Sequence, residues 1–142
     1  MTKALYTAHA HVTGGRNGSG RTADGRLELG LRQPEELGGD GEGTNPEQLF
    51  AIGYGACFGT TLDLVARRGG LTADDAEIDA SVSLLPADGG RFRLGVELRV
   101  TLPSVTDEQA ATLVRTAHQV CPYSHATRDN IDVALTVNGT RL

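Results

Sequence analysis

The stretch from Asn45 to Arg68, NPEQLFAIGYGACFGTTLDLVARR, decides the fold of this 142-residue chain. Asn45 is a favourable helix N-cap, and Pro46 suits the first helical position. Glu47 follows where the positive end of the helix dipole favours an acidic side chain. The paired glycines after Arg68 are typical of a helix end. Because the stretch is apolar on nearly all sides, we expect a central, buried helix over 46–68.

Three glycines lie inside this predicted helix, at Gly53, Gly55 and Gly59. Each costs about 1 kcal/mol relative to alanine in a helix interior. We therefore expect another backbone to approach the helix closely on this side. Cys57 lies on the small-residue face that Gly53 begins, where a neighbouring element has room to come near.

Alternation of apolar and polar residues predicts strands on both sides of the helix. These strands cover residues 4–12, 27–31, 78–84, 92–102 and 131–137. Residues 13–20 are expected to form a flexible loop, and Asp24 and Gly25 a hairpin turn. A second helix begins at Thr106 with a capping box and is broken by Pro122. The order β-β-α-β-β-α-β describes one mixed α+β domain over residues 1–142.

Composition and charge exclude several classes of protein. The formal net charge is −5, and the chain therefore lacks the surplus of cations that general nucleic-acid binding requires. Aromatic residues make up 4% with no tryptophan, which argues against stacking platforms for bases. Residues 1–10 lack the apolar core of a signal peptide, and the uncharged run over 48–62 is too short to span a bilayer. We expect a cytoplasmic protein with no membrane or nucleic-acid partner.

Two cysteines, Cys57 and Cys121, are the strongest chemical candidates. A permanent disulfide is not expected in a reducing cytoplasm, and the sequence leaves open whether the thiols meet or are ordinary buried residues. Cys121 precedes Pro122 at a helix break, where backbone amides favour a thiolate. A metal site at His118, Cys121 and His125, with Cys57 as a fourth ligand, competes, although the spacing is not a standard zinc pattern.

Two charged residues complete the set of candidates. Arg16 lies in a glycine-rich loop, where an arginine is usually a solvated side chain but can also hold an anion or a thiolate. Glu47 is explained fully by its position at the start of the helix. Neither residue indicates a site by itself.

Taken together, these residues resemble two cysteine motifs of the organic hydroperoxide resistance proteins, in the osmotically inducible protein C superfamily. Residues 43–58, GTNPEQLFAIGYGACF, resemble the first motif, and residues 120–133, VCPYSHATRDNIDV, resemble the second. Residues 13–16, TGGR, and 5–8, LYTA, match the N-terminal pattern of the family. The resemblance covers essentially the whole chain, with His125 as a departure beside the second motif.

The resemblance implies a thiol peroxidase without metal, haem or flavin. Cys57 matches the cysteine that attacks the hydroperoxide and becomes a sulfenic acid, and Cys121 matches the cysteine that resolves it as a disulfide. Arg16 matches the arginine that stabilises the thiolate, and Glu47 the acid that orients Arg16. The family reductant is a dithiol, typically protein-bound dihydrolipoyl groups. The family fold is an intertwined homodimer with two active sites at the subunit interface.

Two alternatives remain at this point. The sister branch of the superfamily contains similar peroxidases of the osmotic-stress type, but the Cys121-Pro122-Tyr123-Ser124 motif and the short N-terminus favour the first branch. A non-catalytic redox-sensing or ligand-binding module on the same fold is the alternative from a different class.

Overall fold

The computed structural model describes residues 2–142. The chain divides into two compact units, Met1–Leu49 and Phe50–Leu142. Strands and helices are both present along the chain, which confirms the predicted mixed α+β class. The single domain expected over residues 1–142 stays a prediction, and its first residue, Met1, lies outside the described residues.

The first unit contains a small antiparallel sheet of three strands in the order β1-β2-β3. These strands are β1 at Ala10–Thr13, β2 at Ser19–Thr22 and β3 at Glu28–Gly30. The predicted turn at Gly25 joins β2 to β3, and Gly25 has a φ of 73°, which favours glycine. The turn therefore closes the hairpin that the sequence indicates at this point.

The N-terminal boundaries differ from the prediction. The strand predicted over 4–12 is much longer than β1, because residues 4–9 lack a paired strand among the described residues. Residues 13–20, predicted as a flexible loop, contain a 3₁₀ turn at Gly15–Asn17 and the start of β2. Since β2 pairs with a strand on each side, non-local pairing stabilises a glycine-rich segment that has little strand preference of its own.

The long helix α1 spans Pro46–Arg68, which confirms both predicted ends. The Asn45 side chain accepts a hydrogen bond of 2.9 Å from the backbone N–H of Gln48, as expected of an N-cap. At the other end, Gly70 has a φ of 74°, and the N–H of Leu71 closes the helix on the carbonyl of Ala66.

The second unit is built on a four-stranded sheet in the order β4-β5-β6-β7. Its strands are β4 at Glu77–Pro86, β5 at Phe92–Thr101, β6 at Val133–Val137 and β7 at Thr140–Arg141. Strands β4 and β5 are antiparallel, whereas β5 and β6 are parallel and are joined by a helical crossover. The short strand β7 was not predicted, because its two residues carry no alternation of their own.

The crossover contains helices α2 at Asp107–Val120 and α3 at Pro122–Thr127. The predicted capping box is confirmed, since Thr106 and Gln109 exchange hydrogen bonds at the start of α2. Helix α2 buries one apolar stripe against the core of this unit, as its spacing predicts. The core combines residues of α1, the sheet and α2, among them Phe58, Leu62, Leu98 and Val114, with Leu102 just after β5.

Helix α1 is buried along one face in the single chain. Phe58 and Leu62 are fully buried, whereas Ile52 is 72% exposed and Leu64 is 43% exposed. Within the described residues α1 alone is long and apolar enough, by length and composition, to cross a bilayer. The uncharged run over 48–62 is shorter than α1, which continues past Asp63, and Asp63 pairs with Arg67 at 2.9 Å. The core helix of a folded protein has the same composition.

Candidate active site

Two cysteines from distant parts of the sequence meet in the second unit. Cys57 lies in the middle of α1 and is partly exposed, whereas Cys121 is fully buried between α2 and α3. The chain turns at Cys121 because Pro122 does not continue α2 and instead occupies the first position of α3. The Cys121 thiol donates a hydrogen bond to the Cys57 sulfur, with the two Sγ atoms 3.7 Å apart. Both thiols are free, as in a reduced dithiol pair.

The surroundings of Cys57 disfavour its thiolate. Burial raises the pKa of the Cys57 thiol, the neighbouring Cys121 also raises it, and the backbone N–H of Tyr123 acts in the opposite direction. Even an unperturbed cysteine, with a pKa of about 8.5, is mostly protonated at neutral pH. Cys57 therefore needs a positive charge nearby if it is to act as a nucleophile.

A half-buried arginine–carboxylate pair lies in the first unit. Arg16 donates two hydrogen bonds to Glu47, with NH1···Oε2 at 2.8 Å and NH2···Oε1 at 2.6 Å. The side chain of Arg16 is 33% exposed and that of Glu47 is 14% exposed. Hydrogen bonding to Arg16 holds the pKa of Glu47 below its usual value, and the same bond raises the pKa of Arg16. The planar guanidinium and the carboxylate thus hold each other in one fixed orientation.

Glycines set the shape of the turn that presents Arg16. A Cβ atom at Gly18 would lie 1.8 Å from the carbonyl oxygen of Thr13, so this position accepts glycine alone. Gly14 has a φ of 74°, and the N–H of Asn17 returns to its carbonyl at 3.1 Å. The predicted flexible loop is therefore a tight 3₁₀ turn that fixes the direction of Arg16.

A buried chain of hydroxyl groups lies one helical turn from the cysteines. The Tyr54 hydroxyl is 2.7 Å from Ser124 Oγ and 3.2 Å from Thr127 Oγ1. Ser124 Oγ is in turn 2.8 Å from His118 Nδ1, and Thr127 donates to the Ser124 carbonyl oxygen. Burial lowers the pKa of His118, and the positive charge of Arg128 lowers it further. The chain connects α1, α2 and α3.

Side chains, rather than a backbone, approach the glycine face of α1. A Cβ atom at Gly53 would lie 3.1 Å from the Tyr123 hydroxyl, and one at Gly59 would lie 3.3 Å from a methyl group of Ile78. The expected close approach of another backbone is therefore wrong within the described chain. The small residues make room for the Tyr123 ring, which also meets Phe50 edge-to-face at 6.1 Å.

Two of the residues considered as metal ligands, His118 and Cys121, contact other side chains instead. His118 faces Ser124 through Nδ1, and Cys121 faces Cys57. Among residues 2–142, no group of three or more His, Cys, Asp and Glu side chains comes close enough to hold a metal ion. The donor set on which the metal alternative depends is thus not assembled in this part of the chain.

The hydroxyl chain is the part of the site region that sequence reasoning missed. Tyr54, Ser124 and Thr127 are far apart in sequence, and no spacing rule connects them. One available signal was Tyr54, a residue with a polar group on the apolar side of a helix, since a buried hydroxyl needs a hydrogen-bond partner.

Comparison with known proteins identifies the family. The family model for OsmC-like protein matches residues 39–136. The organic hydroperoxide resistance protein of Xanthomonas axonopodis pv. citri is 51% identical over 137 residues, covering 95% of this chain and 96% of that protein. Both regions with cysteine motifs, residues 43–58 and 120–133, fall inside the range matched by the family model.

Solved structures agree with the sequence comparison. A structure from Vibrio cholerae O1 biovar eltor, with captopril in one of its active sites, has a TM-score of 0.93 at 47% identity and covers 99% of this chain and 96% of that one. The organic hydroperoxide resistance protein OhrB of Bacillus subtilis has a TM-score of 0.87 at 43% identity and covers 95% of this chain and 100% of that one. With a family match over most of its length and relatives of this similarity, the chain belongs to the OsmC-like family and, within it, to the organic hydroperoxide resistance proteins.

Proposed function

We propose that this protein is a cysteine-based peroxidase that reduces organic hydroperoxides to alcohols and protects against oxidative stress. The observation that carries the proposal is the contact between Cys57 and Cys121, whose sulfur atoms lie 3.7 Å apart in the reduced state. Membership among the organic hydroperoxide resistance proteins supports the choice of substrate.

The proposed reaction balances with a hydroperoxide and an external dithiol. The Cys57 thiolate attacks the O–O bond, takes the terminal OH group as a sulfenic acid, and releases an alkoxide that is protonated to the alcohol. The Cys121 sulfur then attacks the sulfenic sulfur, so that an S–S bond forms and water leaves. A dithiol reduces this disulfide by exchange and restores both thiols.

Arg16 and Glu47 have the proposed role of making the Cys57 thiolate available. Burial raises the pKa of Cys57, and a cation beside the sulfur offsets this effect. Arg16 supplies that cation in the proposal, and one of its donors also polarises the hydroperoxide. Glu47 orients the guanidinium through the two hydrogen bonds of 2.8 and 2.6 Å. An approach of Glu47 to the sulfur itself would oppose ionisation, and its role is therefore to position Arg16.

The preference for organic hydroperoxides over hydrogen peroxide is attributed to apolar contacts. Tyr123 packs edge-to-face on Phe50 and is 40% exposed, which leaves apolar ring surface open near α1. An alkyl or acyl tail gains about 0.8 kcal/mol for each CH2 group that it buries. Hydrogen peroxide lacks such a tail.

We further propose a homodimer as the active form. Ile52 and Leu64 are exposed apolar residues of α1 on one row of i, i+4 spacing, with exposed Ala56 and Thr60 between them, and this row favours contact with a second copy. In this arrangement the Arg16–Glu47 pair of one subunit serves the cysteines of the other. The reaction is proposed to need no metal, haem or flavin, to use protein-bound dihydrolipoyl groups as reductant, and to take place in the cytoplasm without nucleic-acid or membrane partners.

A steady-state assay tests the proposed function. Purified protein with dihydrolipoamide is given cumene hydroperoxide, a fatty-acid hydroperoxide or hydrogen peroxide, and peroxide loss is followed over many turnovers. We expect sustained consumption, with a higher kcat/KM for the two organic substrates. Consumption that stops after one equivalent would instead identify a redox sensor, and a preference for hydrogen peroxide would contradict the proposed substrate class.

A further inference from the structure

Two side-chain contacts join α1 to the segment around the start of α3, and they lie one helical turn apart. Tyr54 and Cys57 are three residues apart on α1, and Ser124 and Cys121 are three residues apart across the start of α3. Tyr54 bonds to Ser124 at 2.7 Å, while Cys57 meets Cys121 at 3.7 Å. Since residues at this spacing are neighbours on a helix surface, the hydroxyl contact and the sulfur contact lie side by side.

The hydroxyl chain is buried and its donors are arranged in one direction. Tyr54 and Ser124 are fully buried, and Thr127 is 5% exposed. Thr127 gives its proton to the Ser124 carbonyl oxygen, which leaves its oxygen to accept from Tyr54. Because Tyr54 has a single proton to give, completing both of its contacts requires that it accept from Ser124 and that Ser124 accept from His118 in the Nδ1–H tautomer. Every hydroxyl proton in the chain has one acceptor.

The turn at Cys121 needs such a restraint. Cys121 has a φ of −58° and a ψ of 126°, and it therefore belongs to neither helix. Its backbone N–H bonds to Ala117 of α2, and its carbonyl accepts from His125 of α3. The hydroxyl chain adds the link from α3 to α1 that these backbone bonds do not provide.

We propose that Tyr54, Ser124 and Thr127 are positioning residues that hold the Cys121 sulfur against Cys57 and so favour formation of the disulfide. The inference rests on the proposed function for its biological purpose, but its physical content concerns the dithiol pair alone. Reacting atoms held at near-attack distance gain a large effective concentration, which is lost when the supporting contacts loosen. Loss of a hydroxyl in the chain therefore disfavours the disulfide relative to the two thiols.

The test measures the equilibrium between the dithiol and the disulfide in glutathione buffers, with no peroxide present. Glutathione disulfide supplies the oxidising equivalents, and the two products are the protein disulfide and two molecules of glutathione. We expect Tyr54→Phe to lower the equilibrium constant about three- to ten-fold, the range given by loss of one hydrogen bond. A ten-fold fall makes the reduction potential about 30 mV less negative. Thr127→Val is also expected to lower the equilibrium constant. Thr127→Ser keeps the hydroxyl and is expected to give the wild-type constant.

A variant in the sheet separates this effect from a general loss of stability. Val100 is 2% exposed in β5, and Val100→Ala is expected to lower the urea midpoint while leaving the glutathione equilibrium unchanged. If Tyr54→Phe does not fold, the Thr127→Val and Thr127→Ser pair gives the same answer. An unchanged constant in the folded hydroxyl variants, or an equal fall in Val100→Ala, overturns the proposal. If the wild-type protein forms the disulfide in glutathione buffers but consumes no hydroperoxide, the proposed function is contradicted and this inference is not.

Discussion

The sulfur atoms of Cys57 and Cys121 lie 3.7 Å apart, although 64 residues separate the two cysteines in the chain. A disulfide requires an S–S distance of about 2.05 Å, and the sulfurs therefore need to approach by roughly 1.7 Å. Cys121 lies between α2 and α3 rather than inside either helix, so a small adjustment of its backbone breaks neither helix. The pair is suited to a disulfide that forms and breaks during a reaction cycle.

Replacement of Cys57 and replacement of Cys121 should block different steps of hydroperoxide reduction. Cys57→Ser is expected to eliminate hydroperoxide consumption, because an alcohol of high pKa does not replace the thiolate. Cys121→Ser is expected to allow one round of reduction and to leave Cys57 as a sulfenic acid, open to further oxidation. Mass spectrometry of the peroxide-treated variants distinguishes these products. Sustained turnover by Cys57→Ser would rule out its role as the attacking thiol.

Arg16 is expected to control the thiolate fraction of Cys57. Burial raises the pKa of Cys57, and removal of a neighbouring cation should raise it further, with about a ten-fold loss of thiolate at neutral pH for each unit. Arg16→Ala should therefore slow alkylation of Cys57 by iodoacetamide at pH 7, and the rate should recover in alkaline buffer. Arg16→Lys keeps the charge but loses the planar fork that binds Glu47, so its peroxidase activity should also fall strongly.

The matched control for Arg16 is Arg21→Lys, an exposed arginine of β2. It should leave both the alkylation rate and the peroxidase activity unchanged. Near-normal rates in both Arg16 variants would mean that this arginine is a structural partner of Glu47 alone.

Local patterns in the sequence were sufficient for the helices. Both ends of α1 were predicted because Asn45, Pro46 and the glycines after Arg68 act within one turn of the helix terminus. The capping box at Thr106 is equally local. By contrast, β2 was not predicted. Its glycine-rich sequence forms a strand because it pairs with β1 and β3, and this pairing produces no alternation of apolar and polar residues in β2 itself.

The candidate site depends even more on contacts between distant residues. Neither the meeting of Cys57 with Cys121 nor that of Arg16 with Glu47 follows from spacing, and both were expected through the family resemblance. The hydroxyl chain from Tyr54 was predicted neither from residue spacing nor from the family resemblance. Its partners follow α2 in the chain, and their position against α1 depends on the packed crossover of the second unit.

Acid should remove the contribution of the Arg16–Glu47 pair to stability. Hydrogen bonding to Arg16 lowers the pKa of Glu47 in the folded protein. The pair therefore stabilises the fold fully above the unfolded carboxyl pKa of about 4.3, and this contribution is lost as pH falls through the lowered folded value. Glu47→Gln should cost on the order of 1 kcal/mol at neutral pH, since the pair is partly exposed, and nothing once Glu47 is protonated.

Urea unfolding across this pH range measures the effect. Glu36→Gln, at an exposed position of the 3₁₀ turn Glu35–Leu37, makes the same change of charge and should alter stability little at any pH. A difference between wild type and Glu47→Gln that stays constant from neutral to acid pH would show that the carboxylate charge contributes nothing.

The last prediction concerns which subunit supplies Glu47 to each pair of cysteines. Glu47 and Cys57 are ten residues apart on α1, which corresponds to about 15 Å along a helix. A break at the helix glycines would shorten this distance, but α1 runs unbroken from Pro46 to Arg68. We therefore expect Glu47 and Arg16 of one subunit to act on the cysteines of its partner, so that an isolated monomer is inactive.

Mixing two inactive variants tests the shared site. In a heterodimer of Glu47→Ala with Cys57→Ser subunits, one site carries both defects and the other is intact, so random mixing should restore roughly a quarter of wild-type activity. A mixture of Cys57→Ser with Cys121→Ser subunits is the control. Both of its sites stay damaged, because the two cysteines of a site come from one chain, and no activity should return. If Glu47 acts within its own chain, every site in the first mixture also keeps one defect. Absence of rescue in a confirmed heterodimer would therefore reject the shared site.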